Sequence, residues 1–135
     1  METGGYKGRS RKIPKAELHA MISNNLGVSA DWIVCEYGMC ELGSQAYDTI
    51  AGSGLERCFR FPCWARAQIV NADTGVEVNE GEAGLLRIFD LTNLRSVVGV
   101  QTQDLAIRRG VGFELIDRST HANSRGCSLA LSEVS

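Results

Sequence analysis

Residues 32–48 read WIVCEYGMCELGSQAYD, and the fold turns on how this stretch is read. Trp32, Ile33, Val34 and Cys35 make a short apolar run, β-branched at Ile33 and Val34, which predicts a buried strand. Gly38 lets the chain turn sharply straight after it. A polar loop leaving the end of a buried strand is a common ligand site in α/β proteins. The loop from Glu36 to Glu41 offers an aromatic face at Tyr37 and a carboxylate at Glu41. An aromatic ring can stack on a base, and a carboxylate oxygen suits Mg²⁺. The plainer alternative is a core strand followed by a surface turn that binds nothing.

On the N-terminal side, Glu2 to Arg11 is a glycine-rich polar loop, with Lys7, Arg9, Arg11 and Lys12 basic. Small and basic residues in alternation can cradle phosphate, although the P-loop spacing is absent. Pro14 to Leu26 predicts a helix. Proline suits the first helical position, Leu18, Met21, Ile22 and Leu26 lie on one face, and Gly27 can cap the end. His19 reads as a helix-surface histidine. On the C-terminal side the pattern changes to strands at Arg66–Asn71, Gly84–Asp90, Val97–Gln101 and Phe113–Ile116. Turns at Asp73-Thr74-Gly75 and Gly110-Val111-Gly112 punctuate them. The expected organisation is an α/β segment over 1–57 and a β-rich subdomain over 58–135, the latter a small antiparallel sheet or partial barrel.

With 135 residues the chain can bury one real core, and 44% apolar with 22% charged residues is ordinary for a globular domain. A net charge of −2 gives no electrostatic reason to expect a nucleic-acid partner. No apolar run approaches a membrane span, and the polar N-terminus does not resemble a signal peptide, so the expected location is cytoplasmic. The five cysteines are 35, 40, 58, 63 and 127, and the odd count argues against a disulfide framework. The Cys-x4-Cys spacing at 35/40 and 58/63 raises a zinc module as an alternative. Cys35 in an apolar strand, and Cys58 and Cys63 beside aromatic residues, read instead as small buried hydrophobes.

Tyr37-Gly38-Met39-Cys40-Glu41 resembles the Tyr-Gly-x-Thr/Ser-Glu motif of adenylate-forming enzymes. The longer string EYGMCELGSQAYD is similar to one branch of them. That branch is the LuxE-type acyl-protein synthetases, the ligase component of the bacterial bioluminescence fatty-acid reductase. The resemblance implies the C-terminal portion of an adenylate-forming, acyl-CoA synthetase-like large domain. It also implies an ATP-dependent ligase that activates a carboxylic acid, a long-chain fatty acid in that branch, as acyl-AMP and passes it to a thiol. ATP and Mg²⁺ are the implied cofactors, and an acyl-reductase or acyl-transferase is an implied partner protein.

The resemblance also assigns roles to residues. Gly4 and Gly5 match, in kind and order, a glycine pair that lies against adenine in the family. Tyr37 and Gly38 would sit at the adenine and Glu41 at the metal. Asp104, in Gln101-Thr102-Gln103-Asp104-Leu105, matches an aspartate that follows a strand and binds both ribose hydroxyls, which its two oxygens suit. Arg118 matches a hinge arginine that contacts the nucleotide, with Asp117 where the family has glycine; Cys40 stands where it has a hydroxyl residue. Cys127, eight residues from the end, matches the acyl-carrying cysteine. A thiolate can attack an acyl-adenylate, and Arg125 nearby would favour the thiolate. The alternative for Cys127 is a structural residue opening a strand over 127–131. No Ser/Thr/Gly-rich phosphate loop ending in lysine occurs in the sequence, so the chain alone is expected to be inactive. The competing reading is a non-catalytic remnant or interaction module.

Overall fold

Pro14 fixes the entry to the helix. Its carbonyl accepts from the Leu18 amide at 3.0 Å, and α1 runs over Lys15–Leu26 until Gly27 closes it in the left-handed conformation, φ 64°. These bounds are as expected, but the expected apolar face packs only in part: Leu18 and Ile22 are half-buried. The computed structural model, which describes residues 1–3 and 13–118, buries His19, whereas Met21 and Leu26 are exposed. The correction has a physical cause: the helix docks through polar contacts. His19 Nε2 lies 2.9 Å from Glu2 Oε1, on the two-residue strand β1 (Glu2–Thr3).

β1 pairs in parallel with β2 (Cys35–Tyr37), and β2 pairs antiparallel with β3 (Ala46–Tyr47). The strand expected at Trp32–Cys35 therefore starts at Cys35, and Ala30–Trp32 is a 3₁₀ turn. Arg57 is the reason. Its guanidinium takes the Ala30 and Ile33 carbonyls at 2.8 Å each, so those groups are not offered to a neighbouring strand. Trp32 is 61% exposed, its ring lying against Gly52, where a Cβ would meet it at 3.2 Å.

β4 (Ala65–Val70), β5 (Ala83–Asp90), β6 (Gly99–Arg109) and β7 (Gly112–Arg118) form a four-stranded antiparallel meander in chain order. The expected turns both occur. Asn71 Oδ1 accepts from the Asp73 and Thr74 amides and Gly75 takes φ 67°. Arg109 pairs with Gly112 across a tight hairpin in which Gly110 takes φ 56°. One expected strand needed correction: Val97–Gln101 begins only at Gly99 and continues to Arg109 as the eleven-residue β6. Gly84 needs the absence of a side chain, since a Cβ there would lie 2.4 Å from the Val70 carbonyl oxygen.

One core serves both sheets. It contains Tyr37, Ala46, Phe59, Ile69, Val78, Leu86, Ile88, Ala106 and Phe113. Among the described residues, no helix is long and apolar enough to cross a membrane.

Asp48, at the end of the opening stretch, ties the first sheet to the helix. Its carboxylate accepts from the Cys35 amide at 2.7 Å, Lys15 Nζ at 2.8 Å and Arg57 Nη1 at 2.8 Å. Burial pushes this carboxyl up, but the bonds from Lys15, Cys35 and Arg57 outweigh it and hold the group below its ordinary value. A carboxyl lowered in the folded state contributes stability above its unfolded value, near 4, and loses it as pH falls through the folded value. Replacing Asp48 by alanine is expected to cost about 2–3 kcal/mol at neutral pH, the two cations being partly solvated. Urea unfolding at pH 7 and at pH 3 checks this: the gap between Asp48→Ala and parent should narrow in acid.

Candidate functional site

Three of the residues nominated from the sequence, Tyr37, Asp104 and Arg118, meet where β6 is irregular. Leu85 pairs with Leu105 but Arg87 pairs with Gln101, so residues 102–104 lie opposite the single residue Leu86. Thr102 fills the bulge: its Oγ1 donates to the Leu86 carbonyl at 2.7 Å and accepts from the Asp104 amide at 3.1 Å. Bulges are over-represented beside active sites because they re-aim side chains. Asp104 is thus within a continuing strand, which corrects the expectation that it follows one. Its carboxyl is buried and Oδ2 accepts from the Tyr37 hydroxyl at 2.7 Å.

Tyr37 ends β2 and is only 9% exposed. It meets Phe113 edge-on at 5.5 Å between ring centroids, and Phe59 and Phe61 at 6.1 and 6.5 Å. An open stacking platform was expected from the sequence, and here the structure differs. The aromatic neighbours take the ring into the core, and the hydroxyl end points to Asp104. Arg118, at the end of β7, is the register partner of Asp104. The structure therefore gathers Tyr37, Asp104 and the backbone of Arg118. Gly38 follows Tyr37 in an exposed turn, where an added Cβ would meet Gln45 Cγ at 3.2 Å. Gly4, Gly5 and Cys127 lie outside the described residues.

The turn that carries Glu41 is stapled from the other sheet. Asp90, fully buried at the end of β5, accepts from the Gly43 amide, Ser44 Oγ and the Thr92 amide at 3.0 Å each, and from Thr92 Oγ1 at 2.7 Å. Burial raises this carboxyl, but the bonds from Thr92 and Ser44 together hold it below its ordinary value. Gly43 is required there, since a Cβ would fall 2.3 Å from Thr92 Oγ1. Asn93 Nδ2 adds a bond to the Glu41 carbonyl. Sequence reasoning missed Asp90. The available signal was an Asp just before Leu91-Thr92-Asn93, the pattern of a capped helical turn, which these residues form.

Glu41 itself is exposed. Among the described residues no group of three or more His, Cys, Asp or Glu is placed to hold a metal. A lone exposed carboxylate still fits Mg²⁺ in one common mode, in which one or two carboxylates are joined by substrate phosphates and water. Neither cysteine pair gathers into a zinc set. Cys58 is buried as expected, but Cys63 is exposed, because Trp64 beside it is half exposed and does not cover it. Burial pushes the Cys35 thiol up to about 11, and raises that of Cys58.

No protein-family model matches the chain, and no curated protein does. The fold does have solved counterparts. It is similar to apo MatB from Rhodopseudomonas palustris at 16% identity and TM-score 0.59, over 81% of this chain and 24% of MatB. An ATP-bound RpMatB-BxBclM chimera matches at 18% identity and TM-score 0.57, over 76% of this chain and 23% of the chimera. The luciferase-like enzyme from the nonluminescent Zophobas morio mealworm matches at 18% identity and TM-score 0.52, over 84% of this chain and 31% of that one. These neighbours are adenylate-forming enzymes. At such identity the likeness is one of fold. The chain spans between 23% and 31% of their lengths.

The Tyr37–Asp104 bond can be tested directly. Tyr37→Phe keeps the ring packing and removes one hydrogen bond, so unfolding free energy should fall by about 1–3 kcal/mol. In a double-mutant cycle with Asp104→Asn, measured by denaturant unfolding, the two changes should be non-additive by at least about 0.5 kcal/mol.

Proposed function

We propose that this chain forms part of an ATP-dependent ligase that converts a carboxylic acid into acyl-AMP and passes the acyl group to a thiol. The observation that carries the reading is the meeting of Tyr37, Asp104 and the Arg118 position at a strand bulge. The fold shared with adenylate-forming enzymes supports it. The narrower assignment, a LuxE-type acyl-protein synthetase acting on a long-chain fatty acid in the cytoplasm beside a reductase or transferase partner, rests on the string EYGMCELGSQAYD.

In this reading Asp104 receives the ribose hydroxyls and the Tyr37 hydroxyl holds its carboxyl in place. The backbone from Tyr37 to Gly38, and the Gly4-Gly5 pair, would border the adenine. Arg118 would contact the nucleotide. A substrate carboxylate oxygen attacks the α-phosphorus, the bond from that phosphorus to the oxygen bridging to the β-phosphorus breaks, and pyrophosphate leaves. Mg²⁺ bound through Glu41 and the phosphates would neutralise charge developing on the α-phosphate. The Cys127 thiolate then attacks the acyl carbon and AMP departs.

Nuclear magnetic resonance titration of the chain with ATP and Mg²⁺ tests the nucleotide site. Millimolar binding is expected, shifting the amides of Tyr37, Gly38 and Asp104. Asp104→Asn should weaken it about tenfold, the equivalent of losing roughly 1.4 kcal/mol. Shifts confined to other residues, or an unaffected Asp104→Asn, would remove the site. The acceptor is tested separately. Incubation of the chain with a labelled fatty acyl-adenylate should leave a hydroxylamine-labile label on Cys127, absent from Cys127→Ser. Label on Cys40 instead would exclude Cys127.

A further inference from the structure

A cleft of about 600 Å³ opens beside the first sheet, apart from the residues assigned to nucleotide. Its walls are Tyr47, Ile50, Leu55, Phe61 and Trp64, and Arg60 lies among them. The size is that of a small-molecule site, and the lining has the usual form of apolar walls with few polar groups.

The polar atoms of the walls are already committed. Trp64 Nε1 donates to Ser44 Oγ at 3.0 Å, and Ser44 Oγ in turn donates to the buried Asp90. This pins the indole with half its surface open. The Tyr47 hydroxyl donates to Gln45 Oε1 at 3.2 Å. Among the described residues, Arg60 is the only charged side chain in the lining. Its guanidinium makes no ion pair or hydrogen bond with the described residues, while its backbone is fixed by the pairing with Tyr47. An apolar cleft holding one cation that is unpaired among the described residues matches an apolar body with a single anionic head.

We propose that this cleft binds a free carboxylic acid with an apolar tail, its carboxylate on Arg60 and its tail along Ile50, Leu55, Phe61 and Trp64. A planar carboxylate can accept two parallel bonds from a guanidinium, which a neutral alcohol does not offer. Phe61 links the cleft to the nucleotide residues, for its ring also meets that of Tyr37. The proposal deepens the acid-activating reading by placing the acid, and it rests on that reading for the acid's fate but not for its binding.

The test uses no nucleotide, so it can fail while the ATP titration succeeds, and the reverse. In Trp32→Phe, Trp64 is the remaining tryptophan and reports on the cleft. Decanoate, added below its aggregation concentration, should change Trp64 emission saturably, with decanol at least tenfold weaker. Arg60→Gln should weaken decanoate about tenfold and leave decanol unchanged. Ile50→Asp, at a 71% exposed position, should weaken both. Equal affinity for acid and alcohol, undiminished decanoate binding by Arg60→Gln, or no saturable change would each overturn the proposal.

Discussion

Two consecutive residues hold the two sheets as one body. Phe59 exchanges both backbone hydrogen bonds with Phe113 of β7, at 2.8 and 3.0 Å, and Arg60 exchanges both with Tyr47 of β3, at 3.2 and 3.0 Å. A strand turns successive side chains to opposite faces, so the clasp sends Phe59 into the core and leaves Arg60 outside. The Phe59 ring stacks on Phe113 at 5.4 Å, and Lys15 of the helix lies 5.3 Å above the Phe59 ring. Burying one such ring is worth roughly 1.5–3 kcal/mol, comparable to several exposed ion pairs. The clasp also fixes where Tyr37 can go. With Phe59, Phe61 and Phe113 in place, its hydroxyl reaches Asp104, 67 residues away in sequence.

That arrangement explains which parts of the fold were legible in the sequence. The meander was, because its strands alternate and its turns carry local chemistry, Asn71-to-Gly75 and Gly110-to-Gly112. The helix bounds were, because Pro14 and Gly27 act within one turn of themselves. The element at Trp32 was not: its apolar run reads as a strand, but the decision belongs to Arg57, 25 residues further along. The docking face of the helix was hidden for the same reason. His19 is chosen by Glu2, and no pattern within the helix announces a partner on another strand.

The candidate site could be nominated from the sequence as a set of residue types and not as a geometry. Tyr37, Glu41 and Asp104 could be named from the motif they resemble. The polar run Gln101-Thr102-Gln103-Asp104 looks like the end of a strand, yet Thr102 repairs the bulge with its own hydroxyl and lets β6 continue. The exposure of Tyr37 could not be read either, since it depends on three phenylalanines that arrive from two later segments. Arg60 and Trp64 carry no local signature at all. Their meaning comes from the cleft that the clasp opens.

The chain buries two aspartates in different ways, and the difference separates scaffold from site. Asp48 is compensated by two cations that reach solvent, so acid and salt both act on it. Asp90 is compensated by two amides and two hydroxyls, with no cation among the described partners. Neutral donors satisfy a carboxylate only if each is held in position, which makes Asp90 a geometric constraint more than a charge pair. Its donors also support both proposed sites: Gly43 and Ser44 end the turn of Glu41, and Ser44 pins Trp64 in the cleft wall. A single buried carboxylate therefore sets both the turn that presents Glu41 and the wall beside Arg60. Ser44 is bonded both to Asp90 and to Trp64, so the proposed metal carboxylate and the proposed acid cleft share one hydrogen-bonded support.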